Sequence, residues 1–298
     1  VQKQVIATDT ESQRNVSVEA FEFVRELASE LSASTIELPS FPDVALQVQR
    51  VLSENSASTE RVVRVLGAEP MLAARVLSMA NSAAICPGGK AVTDLRSAVT
   101  RLGFDALRAA AVSFAMAQLR RARQYQSIER QLSVLWQHSA LVAALCFVIA
   151  RRKGGASADT AMLTGLVHGV GKLYILTHAL GHPWLFGDQA AYMRIVRDWH
   201  GNIAKALLEN WNMADEIVNA VHSYEDQGRD GRGQGGQLAD VLDVADTLSV
   251  CKDVPELLQE RIAGSKAAAR LGLNAEICRT LVMESAEELG ALREALGS

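Results

Sequence analysis

Four side chains in this 298-residue chain are candidates to hold a metal ion together: His138, His168, His222 and Asp246. Imidazole nitrogen and carboxylate oxygen together suit a divalent cation such as zinc, iron, manganese or nickel. His168 stands out, because it lies in Leu163–Ile175 (LTGLVHGVGKLYI), an apolar run that reads as helix. An imidazole in such surroundings needs a partner, either a hydrogen bond or a metal. Gly169, Gly171 and Lys172 follow it. His138 lies in the middle of Ile128–Ala150, Asp246 in Leu238–Ser249, and His222 in the acidic and aromatic stretch from Trp211 to Glu225. Taken singly, each histidine is more often a hydrogen-bonded core group, and Asp246 is equally readable as a solvated acid. The four belong to separate segments, so spacing alone cannot bring them together.

The elements that must position them are helices. Apolar residues recur at three- and four-residue intervals, two-residue alternation is missing, and aromatic residues make up only 5%. An all-α fold follows, and no fixed-period repeat points to a solenoid. Phe21–Leu31 reads as a first amphipathic helix, and Pro42 suits the first position of a second. Ser58 or Thr59 caps a helix ending near Gly67, Glu69-Pro70 opens the next, and Thr93 or Asp94 caps another that Gly103 stops. Asp105 caps an Ala-rich helix to about Leu119, and Asp159 or Thr160 starts the one bearing His168. Tyr192–Leu208, Val254–Ala269 and Ala275–Leu296 supply the remaining long helices. Gly228–Gly236 is a polar loop that lacks the lysine and preceding strand of a phosphate loop.

Composition excludes several functions. With 49% hydrophobic and 21% charged residues the chain is globular, and a net charge of −4 gives no general attraction to nucleic acid. Cys86, Cys146, Cys251 and Cys278 lie far apart, as reduced thiols of a cytoplasmic protein would. No uninterrupted apolar run reaches the roughly 20 residues of a membrane helix. The longest candidate, Ala140–Ala150, is followed by Arg151, Arg152 and Lys153, which read as a solvated helix end, as do Arg120, Arg121 and Arg123. Trp199, Trp211 and Tyr224 read as core aromatics before they read as an interaction surface. Val1–Val16 is polar and does not read as a signal peptide, and without an initiating Met the sequence reads as a piece of something longer.

The order of local contexts carries more than any one of them. Trp136–Ser139 (WQHS), Leu166–Leu173 (LVHGVGKL) and Val244–Leu248 (VADTL) resemble the His…His-Asp…Asp scheme of the HD superfamily of metal phosphohydrolases. Leu38–Leu46 (LPSFPDVAL), Glu69–Ala83 (EPMLAARVLSMANSA) and Ala98–Arg108 (AVTRLGFDALR) resemble the HDOD family, the HD-related output domain of bacterial signalling proteins. The resemblance implies an HD-domain/phosphodiesterase-like helical fold with an added N-terminal helical layer. It implies a tail or linker over 1–20 and an HDOD domain over 21–250, divided into a layer at 21–125 and a core at 126–250. Helices over 251–298 would pack on that core.

Carried over residue by residue, the superfamily's ligand positions fall on His138, His168 and Asp246, and Gly169 stands where the Asp of the His-Asp pair belongs. His222 falls where many relatives carry a His-rich segment, and Lys172 keeps the Gly-Lys pair. A glycine removes a ligand and a negative charge together, although three protein ligands plus water is a known arrangement. The expectation is therefore a non-catalytic regulatory module in signal transduction, with a degenerate metal site and no cofactor beyond a weakly held divalent metal. It would act through a protein partner in the cytoplasm, away from membrane and nucleic acid, with a homodimer left open. Two rivals stand beside it. One is a divergent metal-dependent phosphohydrolase or phosphodiesterase using His138, His168 and Asp246. The other is a binder of a nucleotide second messenger with phosphate beside Lys172.

Overall fold

Helix starts in this chain are set by side chains that accept from otherwise free backbone N–H groups. Ser58 accepts from the Arg61 amide, Asp94 from Ser97, Ser157 from Thr160, Asp188 from Ala191 and Asn274 from Ile277. The computed structural model describes residues 22–33, 36, 38, 42–54, 58–87, 89–226 and 236–297. The expected tail over 1–20, Phe21 and most of the Gly228–Gly236 loop lie outside the described residues.

The first five helices form an N-terminal layer. They are α1 (22–32), α2 (Asp43–Ser53), α3 (Thr59–Gly67), α4 (Pro70–Ala80) and α5 (Leu95–Arg121). A 3-10 turn, Arg123–Ile128, leads into the long α6 (Glu129–Lys153), followed by α7 (Ala158–Val167), α8 (Val170–His178), α9 (Gln189–Asn210) and α10 (Asp215–Ser223). After the undescribed loop come α11 (Gly236–Cys251), α12 (Pro255–Gly264), α13 (Lys266–Arg270), α14 (Ala275–Glu284) and α15 (Ala286–Ala295). No strand occurs among the described residues, and one continuous apolar core runs from Phe23 to Leu296.

Several expected boundaries move, each for a local reason. Pro42 caps α2 from outside with extended backbone instead of opening it. Gly103 takes a positive φ of 71° and kinks α5, joining two helical pieces where a stop was expected. Asp105 does not cap the second piece. Its carboxylate accepts from Arg108 Nη1 at 2.8 Å and from Thr160 Oγ1 at 2.6 Å, so it fastens the N-terminal layer to α7. The cap of α7 is Ser157, not Asp159 or Thr160. The run Leu163–Ile175 is two helices broken at His168-Gly169, and the two closing helices are each split, at Ser265 and at Ser285.

Two glycines let the core helices touch at backbone distance. A Cβ on Gly165 would come 2.7 Å from Ala143 Cα, which presses α7 onto α6. A Cβ on Gly171 would overlap the His200 carbonyl oxygen and lie 2.8 Å from its carbon, which presses α8 onto α9. No uninterrupted apolar run of about 20 residues occurs; by length and average composition Arg123–Lys153 could cross a membrane, yet 67% of its most apolar window is buried within the protein. Its basic end is paired, not merely solvated: Arg151 meets Glu288 and Arg152 meets Glu284, each at 2.6 Å. At the C-terminus, Ser113 Oγ donates to Leu296 O at 2.6 Å and Trp136 Nε1 to Gly297 O at 3.3 Å. The last turn thus sits where the N-terminal layer meets α6.

Candidate metal centre and its cleft

The close crossing of α6 and α7 sets His138 beside His168, and α11 brings Asp246 to both. One donor atom from each residue lies within 4.8 Å of the others. His138 Nε2 is 3.0 Å from Asp246 Oδ1, and His168 Nε2 is 4.0 Å from the same oxygen. His168 sits in the turn between α7 and α8 and is fully buried. Its Nδ1 lies 2.6 Å from Gly165 O, and a carbonyl cannot donate, so Nδ1 carries the proton and Nε2 the lone pair. Burial pushes the imidazole pKa down to about 4 against the pull of Asp246, so the ring is neutral near pH 7.

His138 is oriented the same way. Ser249 Oγ donates to Asp246 O at 2.7 Å, so it can only accept from His138 Nδ1, at a long 3.4 Å. Both Nε2 atoms therefore face Asp246 Oδ1. Neither His168 Nε2 nor Asp246 Oδ1 has a hydrogen-bond partner, though both are buried. Burial works against the Asp246 charge, but His138, His168 and Lys172 outweigh it and hold the carboxyl below its usual value. A proton on His138 or a shared cation is what such an array needs. Two imidazoles and one carboxylate fit a single divalent cation with an open coordination position.

Gly169 adds nothing to this set. Its φ of −84° is open to any residue, so the glycine is there for space. A Cβ would come 2.9 Å from Ser139 Oγ and 3.5 Å from Leu135 Cδ1. His222 does not join the set either. Its helix α10 buries Ile217, Val218 and Val221, and His222 turns to α9, 3.1 Å from Asn202 Oδ1. Asp240 and Asp243, on the same helix as Asp246, are taken by Arg270 and Ser265. Trp211 and Tyr224 are buried and Trp199 is partly so, the core reading of those aromatics.

Lys172 is part of a second group that sequence spacing did not show. Its Nζ lies 3.2 Å from Glu225 Oε1, Tyr224 OH donates to that oxygen at 2.7 Å, and His200 Nε2 lies 2.8 Å from Oε2. Burial would raise the Glu225 pKa, but His200, Lys172 and Tyr224 prevail and hold it well below the usual carboxylate range. The only trace of His200 in the sequence is its place three, four and seven residues before Ile203, Ala204 and Leu207 on the buried stripe of α9. Tyr224 links the groups: its ring meets the His168 ring edge-on, with centroids 6.0 Å apart. Outside them opens a cleft of about 770 Å3 between α6 and α9, bordered by His138, Lys172, His200 and Glu225.

Known proteins share the fold. The chain matches along 94% of its length a "Putative metal-dependent phosphohydrolase" from Shewanella amazonensis SB2B, covering 99% of that protein at 25% identity and a TM-score of 0.71. It is also similar to an HDOD domain protein with unknown function from Geobacter sulfurreducens, at 23% identity and TM-score 0.60 over 92% of this chain and 97% of that one. A "Putative signal transduction protein" from Marinobacter aquaeolei VT8 aligns at 21% identity and TM-score 0.61, over 94% of this chain and 66% of that one. No curated protein matches the chain. Residues 38–227, which carry His138 and His168 and stop short of Asp246, match the HDOD domain; the chain belongs to that family.

Proposed function

We propose that this chain is a regulatory module of bacterial, cytoplasmic signal transduction that passes its signal through a protein partner and does not hydrolyse phosphate esters. The observation that carries the reading is Gly169. Hydrolysis on a two-metal HD site needs a carboxylate there to hold both cations and offset their charge. Glycine supplies none, and even a Cβ there would come 2.9 Å from Ser139 Oγ. His138, His168 and Asp246 would hold one cation, which when bound would supply a positive charge able to polarise an anionic group. Around it the chain's own residues bind and orient: Gly165 fixes the His168 tautomer, Ser249 orients His138, and Glu225 holds Lys172 and His200. The signalling name of the Marinobacter protein is in keeping with this reading.

A second reading has a specific observation behind it. The two buried, unbonded atoms at His168 Nε2 and Asp246 Oδ1 are what a working single-metal phosphohydrolase would keep, and the Shewanella protein carries that description. One experiment separates the two. Metal content is measured by mass spectrometry on untagged protein, and turnover of bis(p-nitrophenyl) phosphate is followed on the same sample with added Mn or Zn. No turnover with or without metal supports the regulatory module. Turnover that disappears in Asp246→Asn overturns it.

A further inference from the structure

The cleft outside the metal centre lies between a face of α6 and a face of α9. On α9 the lining residues Gln189, Tyr192, Met193, Val196, Arg197 and His200 recur at three- and four-residue intervals, which is one continuous stripe. On α6 the stripe is Arg130, Val134, Leu135 and His138. Leu176, Leu185 and Phe186 contribute further apolar wall. Three of these apolar side chains are strongly exposed, Val134 at 61%, Met193 at 53% and Phe186 at 41%. Their neighbouring position in one concave place makes them a patch, unlike the scattered Met71, Val250 and Met283. A cleft of about 770 Å3 lies within the usual range of small-molecule pockets.

Charge defines the other half of the ligand. Arg130, Lys172 and Arg197 line the cleft against a single acid, Glu225. That acid is itself informative. Its carboxylate is where Lys172 Nζ and His200 Nε2 converge, so the protein already shows which head group this donor pair accepts. His200 is buried, and its Nδ1 has no protein partner. We infer that the cleft binds a small anionic amphiphile, an apolar or aromatic body with one acidic group, whose acid exchanges with the Glu225 carboxylate for Lys172 and His200. Glu225 thereby occupies that donor pair in the empty cleft and sets the threshold for entry. The binding deepens the regulatory reading by naming its input, and its readout needs neither metal nor turnover.

The probe is 8-anilino-1-naphthalenesulfonate, an aromatic body with one sulfonate, titrated by fluorescence and by calorimetry in the presence of EDTA. Saturable binding of one molecule per chain is expected. Lys172→Gln and Met193→Glu each weaken it about tenfold or more, as loss of a charge-assisted contact or of apolar wall requires. Glu225→Gln tightens it, because the competing carboxylate is gone. Met283→Glu, on α14 with a still more exposed apolar side chain, leaves it unchanged and controls for general stickiness. Circular dichroism melts show that each variant is folded. Dodecanoate displaces the probe if the assignment is right. Displacement by guanosine monophosphate but not by dodecanoate overturns the apolar-body assignment in favour of a nucleotide. Binding that fails to saturate, or that ignores both Lys172→Gln and Met193→Glu, overturns the inference. Because EDTA removes metal chemistry from the measurement, phosphodiester turnover would refute the regulatory reading without touching this result.

Discussion

His168 Nε2 and Asp246 Oδ1 face each other at 4.0 Å inside the protein, each with a lone pair and neither with a hydrogen-bond partner. Mutual approach of two acceptors in a buried place is unfavourable unless something positive lies between or beside them.

Titration with Zn or Mn by calorimetry is therefore expected to saturate near one ion per chain. His168→Ala and Asp246→Asn each abolish that uptake, because two remaining ligands are too few. Loaded wild-type protein melts higher than the chelated form, and the difference vanishes in Asp246→Asn. Uptake that survives both substitutions would place the cation elsewhere.

Position 169 should resist repair. Gly169→Asp puts a Cβ 2.9 Å from Ser139 Oγ, so we expect a loss of about 1–3 kcal/mol in urea unfolding. Ser139→Ala removes the offending oxygen, and the double variant should recover part of the loss. Additive losses in that cycle would show that the two positions do not compete for space.

Glycines at the helix crossings differ sharply from glycines in open places. Gly171→Ala must push α8 off α9 and is expected to cost more than about 3 kcal/mol, or to prevent folding. Gly290→Ala, inside α15 with nothing near its Cβ, should stabilise by about 0.5–1 kcal/mol. Thermal melts of the two variants provide the comparison.

Glu225 gives a pH dependence of defined sign. Its folded pKa lies below the unfolded value of about 4.3, so the folded state binds its proton less readily than the unfolded state. The resulting stability is fully present above that unfolded value and is lost as pH falls through the folded pKa. Its side chain is 42% exposed, so solvent screening leaves the contribution at about 1 kcal/mol. Glu225→Gln should lower stability at pH 7 and converge with wild type toward pH 2. A constant gap across that range would mean the ionic partners contribute nothing.

What the sequence showed well was what is local or ordered. The caps at Ser58 and Asp94 and the start at Pro70 were legible because each is settled within three residues of the chain. His168 was legible as a buried imidazole because its neighbours are apolar, and its meeting with His138 and Asp246 followed from the order of three motifs. Contacts across long stretches left no such mark. Asp105 was read as a cap because its true partner, Thr160, is 55 residues away. The Glu225–His200 pair spans 25 residues without any period, and the break at His168-Gly169 is hidden in unbroken apolar sequence. His222 was placed in the site by motif order alone. The buried stripe of α10 centres on Ile217 and Val221, which leaves His222 at its edge.

The C-terminal turn has a consequence for biosynthesis. Ser113 waits for the carbonyl of Leu296, 183 residues later, and Trp136 for that of Gly297, 161 residues later. Until residues 295–297 leave the ribosome, two donors in the heart of the structure have no acceptor. The helical layer and the core cannot be sealed together before that segment is available, however early each forms its own helices. The seam thus stays open until residues 295–297 arrive, and a nick just before Ala295 would leave it unclosed.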